Sequence, residues 1–342
     1  MDHKYMKTGI IGAGRQGERR ARAIIEAGDE LVAVAEIEIE RAHRLADAMK
    51  CRATNDWESI TSDKDIDIIV ICTPPNLHEV MTLSALNYGK HVLCEKPLAR
   101  NVEEAQRMVE AARDNRVKLK CGFNHRHHPG ILQARKWFEN GCIGEIYSIR
   151  CRYGIGGRPG YEKDWRMNPE ISGGGQLMDQ GMHVVDLCRW FLGDFNQAFG
   201  IMPTSFWDIA PLEDNAFVLL HNEREQTAQF HVSWTEWKNL FSLEISGKDG
   251  YIAVEGLGGS YGNERAVLGK RAFLEPFQEE IIEFRGGDKS WLSEWREFTS
   301  AIAEDREPLG NGCDGLEALK TVRAIYESVP GMKHTSAYQE VR

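Results

Sequence analysis

The chain has 342 residues, 42% hydrophobic and 27% charged, with a formal net charge of −10. That length allows two domains at the usual ~100–200 residues each. The acidic balance, without a basic block, argues against nucleic acid or an anionic membrane surface as the main partner. Its eight cysteines occur singly, with no Cys-x-x-Cys pair, and Cys72, Cys94 and Cys121 lie in or beside apolar runs. That points to reduced thiols in the cytoplasm, not to a disulfide framework or a zinc site. Residues 1–6 lack the apolar core of a signal peptide, and no apolar run approaches the ~20 residues of a membrane span.

Residues 7–11 are a short apolar run leading into Gly12-Ala13-Gly14-Arg15-Gln16-Gly17. Residues 16–27 follow with helical character until Gly28-Asp29 stops them. Residues 31–35 read as the next strand, with Glu36 at its end. Strand, glycine loop, helix, strand and acid is the order of a dinucleotide site. The glycines allow a tight turn, close approach to a pyrophosphate and helix–strand packing, and the helix N-terminus offers free N–H groups. A lone Gly-x-Gly-x-x-Gly matches many ordinary turns. Here the context fits, and the acid falls about 20 residues on, where it reaches a ribose 2′-OH. The expected cofactor contacts are Gly12, Gly14, Arg15, Gln16, Gly17 and Glu36. Glu36 would repel a 2′-phosphate, so NAD is expected in preference to NADP, with Arg15 and Arg41 working against that preference.

The alternation continues. Residues 40–49 are helical, and residues 67–72 form a nearly all-apolar strand, as expected when both faces are covered. It ends in Thr73-Pro74-Pro75-Asn76. Thr73, Pro74 and Asn76 either wall the nicotinamide or merely cap the next helix, residues 77–88. His78 in that helix is expected near the cofactor in a supporting role. The strand at residues 91–94 delivers Glu95-Lys96-Pro97 to the carboxyl edge, where open α/β sheets bind ligands. Glu95 and Lys96 therefore join the expected cofactor contacts, Glu95 positioning Lys96 or the cofactor pocket rather than reacting, and Pro97, through a cis Lys96–Pro97 bond, would fix the backbone behind Lys96. Asn101 reads as an N-cap with Glu103 and Glu104 in the first turn. Residues 117–122 form a further strand, ending in Phe123-Asn124-His125-Arg126.

After residue 126 the strand–helix rhythm ends. Residues 129–140 form an amphipathic helix with Ile131, Leu132, Trp137 and Phe138 on apolar positions, and a strand covers residues 145–153. Residues 154–175 form a long loop rich in Gly, Pro, Trp and Tyr, of a kind that is often functional. Strands are expected at residues 216–220, 227–234, 242–246, 251–254 and 279–284, with a hairpin turn at Gly247-Lys248-Asp249-Gly250. Residues 291–303 and 315–328 read as closing helices.

Asp179 and His183 are four residues apart on a helix expected to start near Gly174-Gly175, so they share a face, and Asp186 falls close to the same stripe. The pair reads as a surface pair, as a metal site, or as an acid–base group. Lys96 would compete with an ion, so no metal is expected. Oxidising a secondary alcohol sends a hydride to the nicotinamide and a proton to a base. His183, with an ordinary pKa of about 6.5, suits that proton transfer near neutral pH. Lys96 can hydrogen-bond the reacting oxygen or, if desolvated, serve as the base itself. The choice stays open, with His183 preferred. Asp179 orients the histidine or holds a neighbouring hydroxyl.

Asn124, Arg126, Tyr153 and Arg166 are the expected substrate contacts, with Arg158, Tyr161, Lys163 and Trp165 on or beside the long loop. Cations and aromatics together suit a sugar ring carrying an anionic group; each residue also reads as part of a solvated loop. The run His125-Arg126-His127-His128 has no further ligands in evidence to make it a metal tract.

Gly12-x-Gly14-x-x-Gly17, Glu36 and Glu95-Lys96-Pro97 are joined downstream by Gly175-Gln176-Leu177-Met178-Asp179-Gln180-Gly181-Met182-His183. With these motifs in this order, the chain resembles the glucose–fructose oxidoreductase / inositol dehydrogenase / rhizopine-catabolism (Gfo/Idh/MocA) family across essentially its whole length. The resemblance implies an α/β chain of two domains. Residues 1–125 would form an NAD-binding Rossmann domain with a doubly wound parallel sheet. Residues 126–342 would form an α+β domain with a large open, mainly antiparallel sheet that binds substrate and builds a homodimer or homotetramer. It implies an NAD(P)-dependent dehydrogenase acting on a CH–OH group of a sugar, sugar acid or cyclitol, with Lys96, Asp179 and His183 as catalytic residues. Two alternatives are a glycosidase or lyase using transient sugar oxidation, and a non-catalytic cofactor-binding regulator. The presence of Lys96, Asp179 and His183 together speaks against the regulator.

Overall fold

The computed structural model describes residues 6–330 except residue 277; residues 1–5, part of the N-terminal segment read above, lie outside the described residues. Contacts divide the chain into two compact units. The first comprises the chain up to Asn124 together with Trp291–Leu316, and the second comprises His125–Ser290 and the chain from Glu317 on.

The first unit alternates strands and helices: β1 (Lys7–Ile11), α1 (Arg15–Ala27), β2 (Glu30–Ala35), α2 (Ile39–Met49), β3 (Arg52–Thr54), α3 (Glu58–Thr61), β4 (Ile68–Ile71), α4 (His78–Asn87), β5 (His91–Cys94), α5 (Val102–Asp114) and β6 (Leu119–Cys121). The six strands form one sheet in the order β3-β2-β1-β4-β5-β6, with every pair parallel. All four residues of β4 are buried, which is why its sequence is unbroken Ile and Val. The order reverses between β1 and β4, the switch point at which such sheets open a crevice at their carboxyl edge. The Asn101 side chain accepts from Glu104 N–H at 2.8 Å and caps α5 as expected.

The sequence reading assigns residues 126–342 to the second domain, but Trp291–Leu316 packs with the first unit. The reason is in its helix, α9 (Ser290–Ala303). Trp295 and Phe298 are fully buried in the core made by Ile10, Ile24, Val34, Val70 and Leu93, and burying each such side chain contributes roughly 1.5–3 kcal/mol. The Trp295 indole N–H also donates to Asp29 at 2.7 Å.

The second unit contains α6 (Pro129–Glu139), β7 (Ile146–Gly154), α7 (Pro169–Ser172), α8 (Met182–Leu192), β8 (Gln197–Ile201), β9 (Asn215–His221), β10 (Thr227–Ser233), β11 (Leu240–Gly247), β12 (Gly250–Glu255), β13 (Glu264–Lys270) and β14 (Glu279–Phe284); α10 (Gly312–Glu327) begins in the first unit and ends in the second. Its eight-stranded sheet runs β14-β13-β12-β11-β7-β10-β9-β8, and only the β7–β10 pair is parallel. β8 and β13 join the five strands expected after residue 215 and the one at 145–153. Helix α6 packs on β12 and β13 through Ile131, Ala134 and Trp137, whereas Leu132 is exposed. The 154–175 segment is more ordered than its composition suggests. It contains 3₁₀ turns at Tyr161–Lys163 and Trp165–Met167 as well as α7, and the Asp164 carboxylate accepts from Arg158, Arg166 and the Arg166 N–H.

Candidate active site

Because the first sheet is parallel, its carboxyl ends lie along one edge. In strand order that edge presents Glu36, Gly12, Thr73, Glu95–Lys96 and the segment leading to Asn124. Gly12 has φ +100°, and a Cβ there would lie 2.8 Å from the Cys72 carbonyl group. A Cβ on Gly17 would lie 2.0 Å from the Gly12 oxygen, whereas beside Gly14 there is nothing within 4 Å. Gly14 is the N-cap of α1 and no side chain caps that terminus. The Glu36 carboxylate accepts the Ala13 N–H at 2.8 Å, tying the loop to the end of β2. A tight loop, open space on one side and a helix N-terminus without a side-chain cap fit a bound dinucleotide pyrophosphate. Arg15 is exposed and Gln16 half-buried beside this loop, while Arg41 is engaged with Glu38 at 3.0 Å.

Thr73, Pro74 and Asn76 are half-buried at the same edge, as is Lys96, and the Lys96–Pro97 bond is cis. Two neighbours expected near the cofactor, Glu95 and His78, are buried behind this edge. Glu95 is buried and accepts from Arg20 Nε at 2.7 Å. His78 is 1% exposed, with Nδ1 2.9 Å from the Pro97 oxygen and Nε2 2.8 Å from the Thr73 oxygen. Burial holds this imidazole below its ordinary pKa, against the pull of those carbonyls. Both side chains are turned inward, so their polar atoms serve the protein behind the edge.

In the second unit, Asp179 lies in a π-helical turn, Leu177–Gly181, that runs directly into α8 and His183. The sequence reading expects a plain α-helix here; the wider turn is of a type found mostly at functional sites. Glu213 pins its start, accepting from the Leu177 N–H at 2.9 Å and the Tyr326 hydroxyl at 2.7 Å. Gly175 is required beside it, since a Cβ would meet the Glu213 oxygen at 2.4 Å. Burial pushes the Glu213 carboxyl up despite these bonds.

The His183 ring, 5% exposed, stacks on His125 with centroids 3.7 Å apart and planes 19° from parallel. Tyr153 stands edge-on to His125 at 5.1 Å and lies 6.5 Å from His183, and its hydroxyl donates to Tyr261 at 3.3 Å. Burial, reinforced by Tyr261 and Asp179, pushes the Tyr153 hydroxyl well above its ordinary pKa, so it remains a donor. Burial also raises Tyr161, again with Asp179. For Arg166, burial works against the charge, but Asp179 and Asp164 outweigh it and raise the pKa. The structure thus gathers Asp179, His183, Tyr153 and Arg166 from the expected residues, and adds His125, Tyr161 and Tyr261. The cluster supplies a carboxylate, imidazoles, phenols and a guanidinium, the mixture of acceptors and donors that a ring of hydroxyl groups requires.

Arg126 does not join it. It is 3% exposed and grips the fully buried Asp186 with two bonds of 2.8 and 2.5 Å, its guanidinium 5.2 Å from the Trp190 ring centre. A buried bidentate pair of this kind braces the fold, which corrects the expectation of a substrate contact. Asn124 is buried at the end of the first unit. His125 stood in the sequence inside a histidine run weighed only for metal, and among the described residues no group of three His, Cys, Asp or Glu side chains could hold an ion. Arg20 had one available signal: it shares a helical stripe with Ile24, four residues on.

Comparison with known proteins follows the same division. The model of the Gfo/Idh/MocA oxidoreductase family, NAD-binding Rossmann fold, matches residues 6–123, and that of the family's C-terminal domain matches residues 131–253. A levoglucosan dehydrogenase of Pseudarthrobacter phenanthrenivorans is 33% identical over 220 residues, 58% of this chain and 54% of that one. An inositol 2-dehydrogenase of Rhizobium meliloti is 26% identical over 341 residues, 97% of this chain and 99% of that one. The solved complex of levoglucosan dehydrogenase with NADH and levoglucosan superposes with a TM-score of 0.87 at 25% identity, over 98% of this chain and 100% of the other. With both family domains matched in order, over a glycine loop shaped for a dinucleotide, the chain belongs to the Gfo/Idh/MocA family of NAD-binding oxidoreductases.

Proposed function

We propose that this oxidoreductase moves a hydride between NAD and a secondary alcohol of a cyclic sugar or cyclitol, with Lys96, Asp179 and His183 as its catalytic residues. The observation that carries the reading is the second-unit cluster: Asp179 and His183 on one π/α segment, with Tyr153 and Arg166 beside them. The names of the relatives, levoglucosan and inositol dehydrogenases, support the substrate class. The glycine loop and the N-terminus of α1 hold the pyrophosphate, and Glu36 takes the ribose 2′-OH, favouring NAD over NADP. Thr73, Pro74 and Asn76 wall the nicotinamide side of the same edge. Bound NAD supplies the hydride acceptor. Lys96 Nζ hydrogen-bonds the alcohol oxygen and stabilises its growing negative charge. His183 takes the hydroxyl proton, held in the plane of its stack with His125. Asp179 and Arg166 hold neighbouring hydroxyl groups, and Asn124 and Tyr153 complete the substrate contacts.

The test is absorbance of NADH on adding levoglucosan or myo-inositol with NAD, in wild type and in Lys96→Ala and His183→Ala. Steady NADH release abolished by either substitution is the expected result. Turnover of the substrate without NADH release, or full activity in Lys96→Ala, sinks the assignment.

The same proposal includes a homodimer or homotetramer formed through the second-unit sheet. In its support, Phe199, Ile201, Phe217 and Leu219 are each 45–56% exposed and pair across β8 and β9, so they share one face. Arg150 and Glu244 pair farther along the same row. Contiguous exposed apolar surface of this kind marks an interface. Sedimentation of the wild type as a monomer at micromolar concentration excludes it. The eight free thiols support a cytoplasmic location, and no helix among the described residues is long and apolar enough to cross a membrane.

A further inference from the structure

Lys96 is flanked by residues that buried polar groups hold on either side. On the preceding side stands Arg20, on α1 and 0% exposed. Its Nε donates to the Glu95 carboxylate at 2.7 Å and its Nη1 to the Glu294 carboxylate of α9 at 2.5 Å, with the Trp291 ring centre 4.5 Å away. The second Glu294 oxygen lies 3.6 Å from Lys120 Nζ, which also donates to the Leu309 carbonyl. Gly122 closes the remaining side: a Cβ there would lie 2.9 Å from Arg20 Nη2 and 3.0 Å from the Glu95 carboxylate.

On the following side stands His78, on α4. Its two ring nitrogens meet the carbonyls of Pro97 and Thr73. The neutral imidazole can donate to only one of these carbonyls, but the ring sits between the turn after β4 and the turn after β5, directly beyond Lys96.

Burying an arginine between two carboxylates is an expensive way to stabilise a core. Apolar residues of similar volume usually serve stability as well or better, and buried ionic groups are retained in some proteins for the geometry they impose. Here that geometry converges on one residue, whose own side chain is half-exposed. We propose that Arg20 and His78 are positioning residues that fix Lys96 from both sides, Arg20 through Glu95 and His78 through the Pro97 carbonyl. The inference rests on the reading that Lys96 holds the reacting oxygen. It also gives the returning segment Trp291–Leu316 a part in the site, because Glu294 holds the far side of Arg20.

Arg20→Met alone leaves two buried carboxylates facing it and risks misfolding. The test therefore uses Arg20→Met/Glu95→Gln/Glu294→Gln, which removes these three charges together, and His78→Phe, which keeps ring volume. In the full chain, unfolding temperature, NADH affinity by fluorescence, and kcat and KM with levoglucosan or myo-inositol are measured. The expected result is a loss of about 10²-fold in kcat, the scale of a roughly 1 Å misplacement, with NADH affinity at the wild-type level and partial rescue in Arg20→Lys. Folded variants with wild-type kcat, whatever their unfolding temperature, overturn the inference. Lys96→Ala separates the two layers. If it abolishes turnover while the flanking variants do not, the positioning claim alone fails; if it keeps turnover, the reading of Lys96 fails and the inference goes with it.

Discussion

Replacing Arg126 by methionine takes a guanidinium from a carboxylate that is 0% exposed. Leaving Asp186 buried without its partner costs about 3–5 kcal/mol, whereas removing both charges for apolar residues is close to neutral. The lost contact with Trp190 adds about 0.5–2 kcal/mol to any variant lacking Arg126. Arg126→Met and Asp186→Leu should therefore each destabilise strongly. The double variant should recover most of the loss, with a coupling energy of at least about 2 kcal/mol. For a unit of this size each kcal/mol moves the unfolding temperature by about 2–4 °C. Asp186→Leu should therefore melt roughly 6–20 °C below wild type, and Arg126→Met, which also loses the Trp190 contact, roughly 7–28 °C below it. Scanning calorimetry gives the unfolding temperature of each variant. If the single losses simply add in the double variant, the pair is not a structural unit. If Arg126→Met instead raises KM and leaves the unfolding temperature alone, Arg126 touches substrate and its placement here is wrong.

Three further outcomes follow from the geometry. Gly17→Ala puts a Cβ 2.0 Å from the Gly12 backbone oxygen, so the loop must shift; NADH binding in a fluorescence titration should be lost and the unfolding temperature lowered, and a folded variant that retains affinity counts against the loop as the pyrophosphate site. Glu36→Ala should lower the NAD to NADP ratio of kcat/KM, and should weaken NAD itself because the Ala13 N–H loses its acceptor; an unchanged ratio removes Glu36 from cofactor choice. Asp214 is desolvated, but accepts N–H groups from Ser205, Phe206 and Trp207 at 2.8, 2.8 and 3.0 Å, and these bonds hold its carboxyl below the ordinary 3.8. A depressed folded pKa means stability that is complete above the ordinary value and lost as pH falls through the folded one, so wild type should lose its advantage over Asp214→Asn between about pH 5 and pH 2; parallel unfolding curves over that range would refute it.

Local pattern carried the first unit. The Ile-Ile-Val-Ile of β4, the glycine loop and the Asn101 cap each state their structure within a few residues. The Asp179–His183 motif announced a continuous helical segment, although not its π-turn, at whose start Glu213 holds Leu177 from 36 residues away. What stayed hidden is long-range. β8 has outward apolar residues and a central glycine, Gly200, so it reads neither as a core strand nor as a polar edge. Trp295 and Phe298 look like any amphipathic helix until their core is known to lie some 260 residues earlier in the chain. Arg126 reads as an available cation because Asp186, its partner, is 60 residues on.

Exposure then sorts the charged residues into two kinds. Arg20, Glu95, Glu294, Arg126 and Asp186 are nearly or wholly buried, and their charges are spent on one another. Lys96, Asp179 and Arg166 are half-exposed: Lys96 follows a mostly buried strand, Asp179 lies in a turn whose other residues are buried, and Arg166 pairs with Asp164. A charge kept partly in solvent beside a buried scaffold is poised to meet a ligand, because its desolvation is completed only when the ligand arrives. The two kinds meet at Glu95-Lys96. Glu95 of that pair is fixed by a buried arginine, and in the proposed mechanism Lys96 beside it meets the reacting oxygen, so holding and reacting would fall to adjacent residues.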